Sequence, residues 1–172
     1  QGIRVSVCGE MAGDLVYVIG ETHEELGGSE YFAHLGGTGN TVPALDTAIV
    51  RERYRRLTEA ISRELVASSY PVGHGGLGTA LAKVAIAGRL GMDLTIPGEM
   101  RPDYYLFSES LGRFVVTVAP HHKRAFELIA GQDAILLGRT GGRTLRITSH
   151  QLLLDLPVDE LEGAYKAPFR RY

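Results

Sequence analysis

The order of strand-like and helix-like patterns constrains the fold of this chain more than any other sequence feature. A β-prone run at residues 15–19 comes early, two long helical patterns follow, and the second half is rich in strand-like segments. Strands and helices therefore do not alternate strictly, as they would in a doubly wound parallel sheet. We predict an α+β fold, or layered α/β fold, in which a mixed β-sheet is flanked by helices.

Two long helices are predicted in the middle of the chain. The apolar stripe of the first recurs every three or four residues and consists of Val50, Tyr54, Leu57, Ile61 and Leu65. Its other faces mix Arg and Glu, which indicates a solvated surface rather than a nucleic-acid patch. Pro71 and Gly73 are expected to break this helix, and an Ala- and Gly-rich helix that packs in the core begins near Gly76.

The remaining elements are predicted from β-propensity and from cap and turn residues. A short helix follows Ser29, another starts at Pro120, and a last one starts near Pro157. Strands are expected at residues 3–7, 15–19, 93–96, 104–107, 113–118, 134–138 and 144–148. Residues 108–112 then have the length of a hairpin connection.

Composition excludes several classes of protein. The 172 residues carry 18 Lys and Arg against 20 Asp and Glu, so the balance argues against nucleic-acid binding. No apolar run approaches the roughly 20 residues that span a bilayer, and the first residues do not show a signal-peptide pattern. The single cysteine, Cys8, forbids an internal disulfide and fits a reducing compartment, so we expect a cytoplasmic protein. Adjacent His121 and His122 have no third ligand at zinc spacing, so no metal site is predicted.

The first candidate site is a glycine turn that runs into a predicted helix. Gly27 and Gly28 precede Ser29, and backbone amides can converge there on a phosphate or carboxylate at the positive helix end. The alternative is a tight turn in which Ser29 only caps the helix.

The second candidate is the glycine-rich stretch at residues 73–78, which includes Gly75 and Gly76. It lacks the Lys-Ser/Thr of a Walker loop, and the residues before it make a poor strand for a dinucleotide fingerprint. His74 within it could contact an anion or act as a general base, although a lone histidine is more often a surface or packing residue.

The third candidate is a polar cluster formed by Glu109, Ser110 and Arg113. Together with Ser108, an acid, two hydroxyls and a guanidinium in one loop can bind a polar ligand through charge-assisted hydrogen bonds. The alternative is a Glu109–Arg113 surface ion pair, worth about 0–1 kcal/mol and without function. Local evidence leaves both interpretations open.

These segments together resemble a known family over nearly the whole chain. The clearest matching stretches are GDLVYVIG at 13–20, ELGGSEY at 25–31, FSES at 107–110, GRFVVTV at 112–118 and DLPVDEL at 155–161. In this order they are similar to the C-terminal domain of the aminoimidazole ribonucleotide synthetase-like family, which includes hydrogenase-maturation and selenophosphate-synthetase proteins. Within that family the chain most resembles the last domain of the phosphoribosylformylglycinamidine synthases.

The resemblance implies an ATP-dependent C–N ligase of purine biosynthesis. That enzyme converts formylglycinamide ribonucleotide and glutamine-derived ammonia to formylglycinamidine ribonucleotide, with ATP and magnesium bound chiefly by preceding ATP-type domains. The implied partners are those preceding domains of the same chain and a glutaminase subunit or domain, and a homodimer of the fragment stays open. No catalytic residue and no cofactor is expected in this piece, which should be inactive alone.

The first residue is Gln1 rather than Met, and we expect the chain to be one part of a longer enzyme. Residues 1–9 are then a remnant of the preceding ATP-type domain or linker. Residues 10–172 are the C-terminal domain itself.

Two departures from the family pattern leave the role of this domain open. Leu111 stands where the family's Ser-Glu-Ser-Gln substrate loop has Gln, and Pro71 and His74 replace two acids of the family's His-Asp-Val-Ser-Asp-Gly-Gly motif. The candidate substrate- or anion-binding residues are Gly27, Gly28, Ser29, Gly75, Gly76, Glu109, Ser110 and Arg113. The alternatives are a non-catalytic scaffold or glutaminase-docking module of that ligase, or the equivalent domain of another synthetase of the superfamily.

Overall fold

A seven-stranded mixed β-sheet forms the centre of the fold, which confirms the predicted α+β class. This computed structural model describes residues 11–171, with side chains up to Phe169. The strands are β1 (Leu15–Ile19), β2 (Ser68–Pro71), β3 (Met92–Thr95), β4 (Phe114–Val118), β5 (Ala134–Thr140), β6 (Thr144–Thr148) and β7 (Leu152–Pro157). Their order is β2-β4-β1-β5-β3-β6-β7, and among these strands only β3 and β6 pair in parallel. The strand predicted at residues 3–7 and Cys8 lie outside the described residues.

Helices flank both faces of this sheet. Within the described residues they are α1 (Glu30–His34), α2 (Thr47–Ser62), α3 (Gly76–Gly88), α4 (Pro102–Phe107), α5 (Lys123–Ala130) and α6 (Val158–Lys166). Residues of α3, α4 and α6 share one hydrophobic core with the sheet, and residues of α2 and α5 share the other. Within the described residues, every helix is too short or too polar to span a membrane.

The sheet separates the two cores, and strand β1 contributes to both because its successive side chains point to opposite faces. Val16 and Val18 face the core of α3, α4 and α6, whereas Tyr17 faces that of α2 and α5. On this second face, the helices cover β4 and β1. The half of the sheet formed by β5, β3, β6 and β7 exposes polar side chains such as Asp93 and Arg146 on the same face.

The strand predicted at residues 104–107 is wrong, because this segment is helix α4. Pro102 occupies the first turn of the helix, where its missing N–H costs nothing. The side chain of Asp103 accepts a hydrogen bond from the amide of Tyr104 at 3.0 Å. Tyr105 and Leu106 are buried in the core that also contains α3, so tertiary packing overrides the aromatic β-propensity. Residues 108–112 therefore join a helix to a strand and do not close a hairpin.

The first long helix also ends earlier than predicted, at Ser62 rather than near Pro71. Glu64 adopts a left-handed conformation with φ of 58°, and the amide of Leu65 bonds to the carbonyl of Ala60 at 3.0 Å. Together these contacts make a Schellman-type helix end. Residues 68–71 then form β2, in which Pro71 is tolerated because the strand lies at an edge of the sheet.

Strand β7 was not predicted, and the two glycine-linked strands before it are not neighbours. Strands β5 and β6 both form, but β3 lies between them in the sheet. Other local predictions are confirmed, namely β1, the short helix after Ser29, the helix from Gly76, the start at Pro120 and the last helix after Pro157.

Candidate functional site

The carboxylate of Glu109 joins the two glycine turns that were predicted separately. Its Oε1 accepts one hydrogen bond from the amide of Glu30 and another from the amide of Gly75, each at 2.9 Å. Glu30 opens α1 and Gly75 precedes α3, so the third predicted cluster bridges the first two. A carboxylate thus takes two amide donors that an anionic ligand could have used.

The first glycine turn is closed by contacts with the loop at residues 36–46. The amide of Gly27 donates to the carbonyl of Thr41, and that of Gly28 to the carbonyl of Thr38, each at 2.7 Å. A Cβ on Gly27 would lie 2.5 Å from the carbonyl oxygen of Thr41, so only glycine permits this approach. Ser29 caps α1 by accepting from the amide of Phe32 at 3.2 Å. Both glycine amides are therefore engaged within the chain.

The second glycine turn packs the start of α3 against α4. Gly76 has a φ of 67°, and a Cβ there would lie 2.6 Å from the carbonyl oxygen of Leu106. The N-cap residue of α3 is Gly75, which has no side chain to accept hydrogen bonds from the first amides of the helix. Glu109 supplies the missing negative charge from a distant loop, which suits the positive end of a helix.

Arg113 lies beneath these loops and holds them by their carbonyl groups. It is 1% exposed, its Nε donates to the carbonyl of Ser110 at 3.0 Å, and its Nη2 donates to the carbonyl of Ser108. Nη1 donates to Oγ1 of Thr22 at 2.7 Å. Burial lowers the pKa of this guanidinium to about 10. The alternative of a Glu109–Arg113 surface ion pair is therefore wrong, since Arg113 is buried and bonds to carbonyls.

Two serine hydroxyls extend the same network to the loop after β1. Oγ of Ser110 accepts from the amide of His23 at 3.1 Å, and Oγ of Ser108 accepts from the amide of Glu25 at 3.3 Å. Both serines are fully buried or nearly so. The side chains of the Ser-Glu-Ser segment thus bond to two separate parts of the chain, the connection from β1 to α1 and the turn before α3, and this identifies the segment as the organising element of the site.

One solvent-facing edge of this network contains His74 and Leu111. Nδ1 of His74 lies 3.5 Å from Oε2 of Glu109, and the His74 side chain is 87% exposed. Leu111, which stands at the family's Gln position, is also exposed. A ligand approaching this edge meets His74 and the second oxygen of Glu109 first.

A pocket beside the network was missed by the sequence analysis. It has a volume of about 340 Å³ and lies between the loops that follow β1 and β3; its walls are Glu21, Thr22, His23, Glu24, Pro97, Glu99, Met100, Tyr105 and Ile135. The hydroxyl of Tyr105 is buried without a hydrogen-bond partner in the described part of the chain. The run of acids at residues 21–25 was the one sequence signal for this pocket.

The described residues do not build a metal centre on their own. No group of three or more His, Cys, Asp or Glu among them could hold a metal ion. A larger apolar pocket of about 470 Å³ lies between α3, α4, β7 and α6, and none of the eight predicted site residues lines it.

The sequence of the chain matches a known protein family. Residues 11–148 match the model of the AIR synthase related protein, C-terminal domain. Over 154 residues the chain is 36% identical to phosphoribosylformylglycinamidine synthase subunit PurL of Moorella thermoacetica, covering 87% of this chain and 21% of the relative. The chain therefore spans about a fifth of the length of this curated relative.

Solved structures of PurL from Thermotoga maritima share the fold. The complex with FGAR superposes with a TM-score of 0.80 at 19% identity, over 92% of this chain and 29% of that one. The complex with ATP superposes with a TM-score of 0.71 at 18% identity, over 92% of this chain and 27% of that one. At such identities the similarity establishes the fold alone.

Proposed function

Because the chain belongs to the AIR synthase related protein family, whose C-terminal domain its residues 11–148 match, we propose that it forms the C-terminal domain of a phosphoribosylformylglycinamidine synthase. In that enzyme, formylglycinamide ribonucleotide and ammonia combine, with ATP, into formylglycinamidine ribonucleotide. The 36% identity to a PurL subunit supports this assignment over another synthetase of the superfamily.

The observation that carries the proposal is the pair of bonds from Glu109 to the amides of Glu30 and Gly75. They tie the Ser-Glu-Ser segment to both glycine turns and give the domain one preorganised edge. We propose that this edge, with Gly27, Gly28, Ser29, Gly75, Gly76, Glu109, Ser110 and Arg113, is the side of the domain that faces the substrate cleft. Arg113 acts there as a positioning residue, because it holds the loop from below.

ATP and magnesium belong to other parts of the enzyme in this proposal. The described residues offer no cluster of three metal-binding side chains, and the amides of Glu30 and Gly75 are occupied by Glu109. These residues do not fit a nucleotide–magnesium site, so no chemical step is assigned to them. We place the nucleotide in the preceding ATP-type domains, and we assign residues 1–9 to their remnant or linker and residues 10–172 to the C-terminal domain.

The remaining partners follow from the same assignment. The relative in Moorella thermoacetica is itself named as a subunit, which supports an assembly that includes a glutaminase supplying ammonia. A purine-pathway ligase of this kind operates in the cytoplasm. The alternative is a scaffold role in which this domain does not contact the substrate cleft. The following experiment distinguishes that role from the cleft assignment.

The test uses the longer enzyme that contains this chain, assayed for amidine formation with ATP, formylglycinamide ribonucleotide and ammonium. Glu109→Gln and Ser110→Ala are compared with Arg124→Ala, a control on the exposed side of α5. Loss of turnover in the first two, with the assembly and the control unchanged, supports the cleft assignment. Unchanged turnover in all three supports the scaffold, and an enzyme that makes no amidine overturns the proposed ligase.

A further inference from the structure

Charged side chains alternate in sign across the uncovered half of the sheet. Asp93 of β3 lies opposite Arg139 of β5 on one side and opposite Arg146 of β6 on the other. Arg146 in turn lies opposite Asp155 of β7. Directly opposed residues project from the same face, and all four are exposed. We call this set, in the order Arg139, Asp93, Arg146, Asp155, the charged row.

Within the described residues, only one pair of neighbours in the charged row forms an ion pair. Nη2 of Arg146 lies 2.9 Å from Oδ2 of Asp155. Arg139 instead donates from Nη1 to the carbonyl of Gly13 at 3.2 Å. Asp93 forms no ion pair within 4.0 Å among the described residues, although an arginine stands on each side of it. This exposed carboxylate can therefore accept a guanidinium from outside the chain.

A second row runs beside the charged row on the same face. Oγ1 of Thr95 lies 3.1 Å from Oγ1 of Thr148, and Thr148 lies opposite Leu152. Leu136 of β5 shares this face, because it lies opposite Tyr17, whose side chain points to the core of α2 and α5. The second row therefore has an exposed leucine at each end and two threonines between them.

We propose that this half-sheet is an interface with a second copy of the same chain, packed face to face about a two-fold axis that runs parallel to the strands between β3 and β6. In this arrangement Asp93 faces the partner's Arg146, and Arg139 faces the partner's Asp155. The second row matches as well, since Thr95 faces the partner's Thr148 and Leu136 faces the partner's Leu152.

The parallel pairing of β3 and β6 selects this axis. Because these strands run in the same direction in register, Asp93 and Arg146 stand at the same height, and so do Thr95 and Thr148. A two-fold along the charged row would place each charge opposite itself, which is repulsive. Packed sheets lie about 10 Å apart with nearly aligned strands, a gap that two facing charged side chains can bridge.

The charge pattern favours a second copy over other partners. Nucleic acids and anionic surfaces select one sign of charge, whereas this row alternates and is complementary to its own rotated image. The outer strands of this patch lie only about 14 Å apart. The area that the patch can bury is therefore smaller than the about 800 Å² that each partner buries in a stable complex. We therefore expect weak association that salt weakens further. This contact does not depend on the proposed ligase activity.

The test is sedimentation velocity of the 172-residue chain at concentrations up to about 1 mM, in low and high salt. Asp93→Arg places like charges opposite each other at two symmetric positions, and it should weaken dimerisation by about tenfold or more. The charge swap Asp93→Arg with Arg146→Asp restores opposite charges across the axis, and it should recover dimerisation to within about threefold of the unmodified chain.

Lys83→Glu serves as the matched control, because α3 lies on the opposite face of the sheet. It should leave the dimerisation constant unchanged, and circular dichroism verifies that every variant is folded. A chain that stays monomeric over the whole range overturns the proposal. So does a dimer that survives Asp93→Arg, or one that the charge swap fails to recover, since another surface then holds the copies together.

Discussion

Oε1 of Glu109 lies 2.9 Å from the amide nitrogen of Gly75, so a side chain from one loop completes the start of a helix in another part of the chain. The same oxygen bonds to the amide of Glu30. One carboxylate thus bonds to both glycine turns and links them directly.

Removing this carboxylate should destabilise the domain. Glu109→Ala leaves the amides of Glu30 and Gly75 without their acceptor, and we expect a loss of about 2 kcal/mol in the free energy of unfolding. Glu109→Gln keeps a neutral acceptor and should lose about half as much. Urea denaturation measures both, with Glu99→Ala as the control at an exposed acid. Equal stability of all three variants would contradict the capping role.

Two buried tyrosines should respond in opposite ways to loss of their hydroxyls. Tyr17 donates to Oε1 of Glu127 at 2.9 Å, whereas the hydroxyl of Tyr105 has no partner among the described residues. Tyr17→Phe should therefore cost about 1 kcal/mol, and Tyr105→Phe should be neutral or stabilising. Thermal unfolding of both variants in one buffer compares them directly. A destabilised Tyr105→Phe would reveal that the hydroxyl has a partner, such as an ordered water.

Alkaline pH should weaken the wild type more than it weakens Tyr105→Phe. Burial raises the pKa of Tyr105 to about 12, so the folded state keeps this proton at a pH where the unfolded chain has lost it. The stabilisation is complete below pH of about 10 and is lost as the pH rises through about 12. The difference between the two proteins should grow over this window to on the order of 2 kcal/mol. Urea unfolding at pH 8, 10 and 11.5 measures it, and parallel curves would exclude a buried neutral phenol.

Two neighbouring glycines should differ sharply in their tolerance of alanine. Gly76→Ala combines a positive φ with a Cβ only 2.6 Å from a backbone carbonyl oxygen, and we expect a loss of about 2–3 kcal/mol. Gly73→Ala meets no atom within 4 Å and has an ordinary φ, so it should change stability by less than about 0.5 kcal/mol. Denaturant midpoints of the two variants provide the comparison. If both lose the same amount, the contact between α3 and α4 does not depend on that close approach.

The sequence predicted correctly those helices and strands that are determined by interactions between residues close together in the chain. Ser29 caps α1 with its own hydroxyl, and the run from Leu15 to Ile19 is β-prone at every position. Helix α4 was missed because its aromatic residues favour a strand locally, while burial of Tyr105 and Leu106 against α3 decides for a helix. Strand β7 was missed because a short leucine run fits either a strand or a buried helix.

The candidate site was predictable as a set of positions but not as a set of contacts. Both glycine turns and the Ser-Glu-Ser loop were recognised, yet the bonds from Glu109 span 34 and 79 residues of sequence. Spacing along a chain carries no information about such distances. The same reason explains Arg113, for which the local sequence left a surface ion pair open although the fold buries the side chain.

The pairing of β1 has a consequence for the order in which the domain folds. Strand β1 leads the described sheet in sequence, but its neighbours β4 and β5 begin only at Phe114 and Ala134. During synthesis the apolar segment from Leu15 to Ile19 must therefore wait until most of the chain has left the ribosome. Closing so long a loop makes folding slow, and the exposed segment becomes a target for chaperones and for aggregation in the meantime.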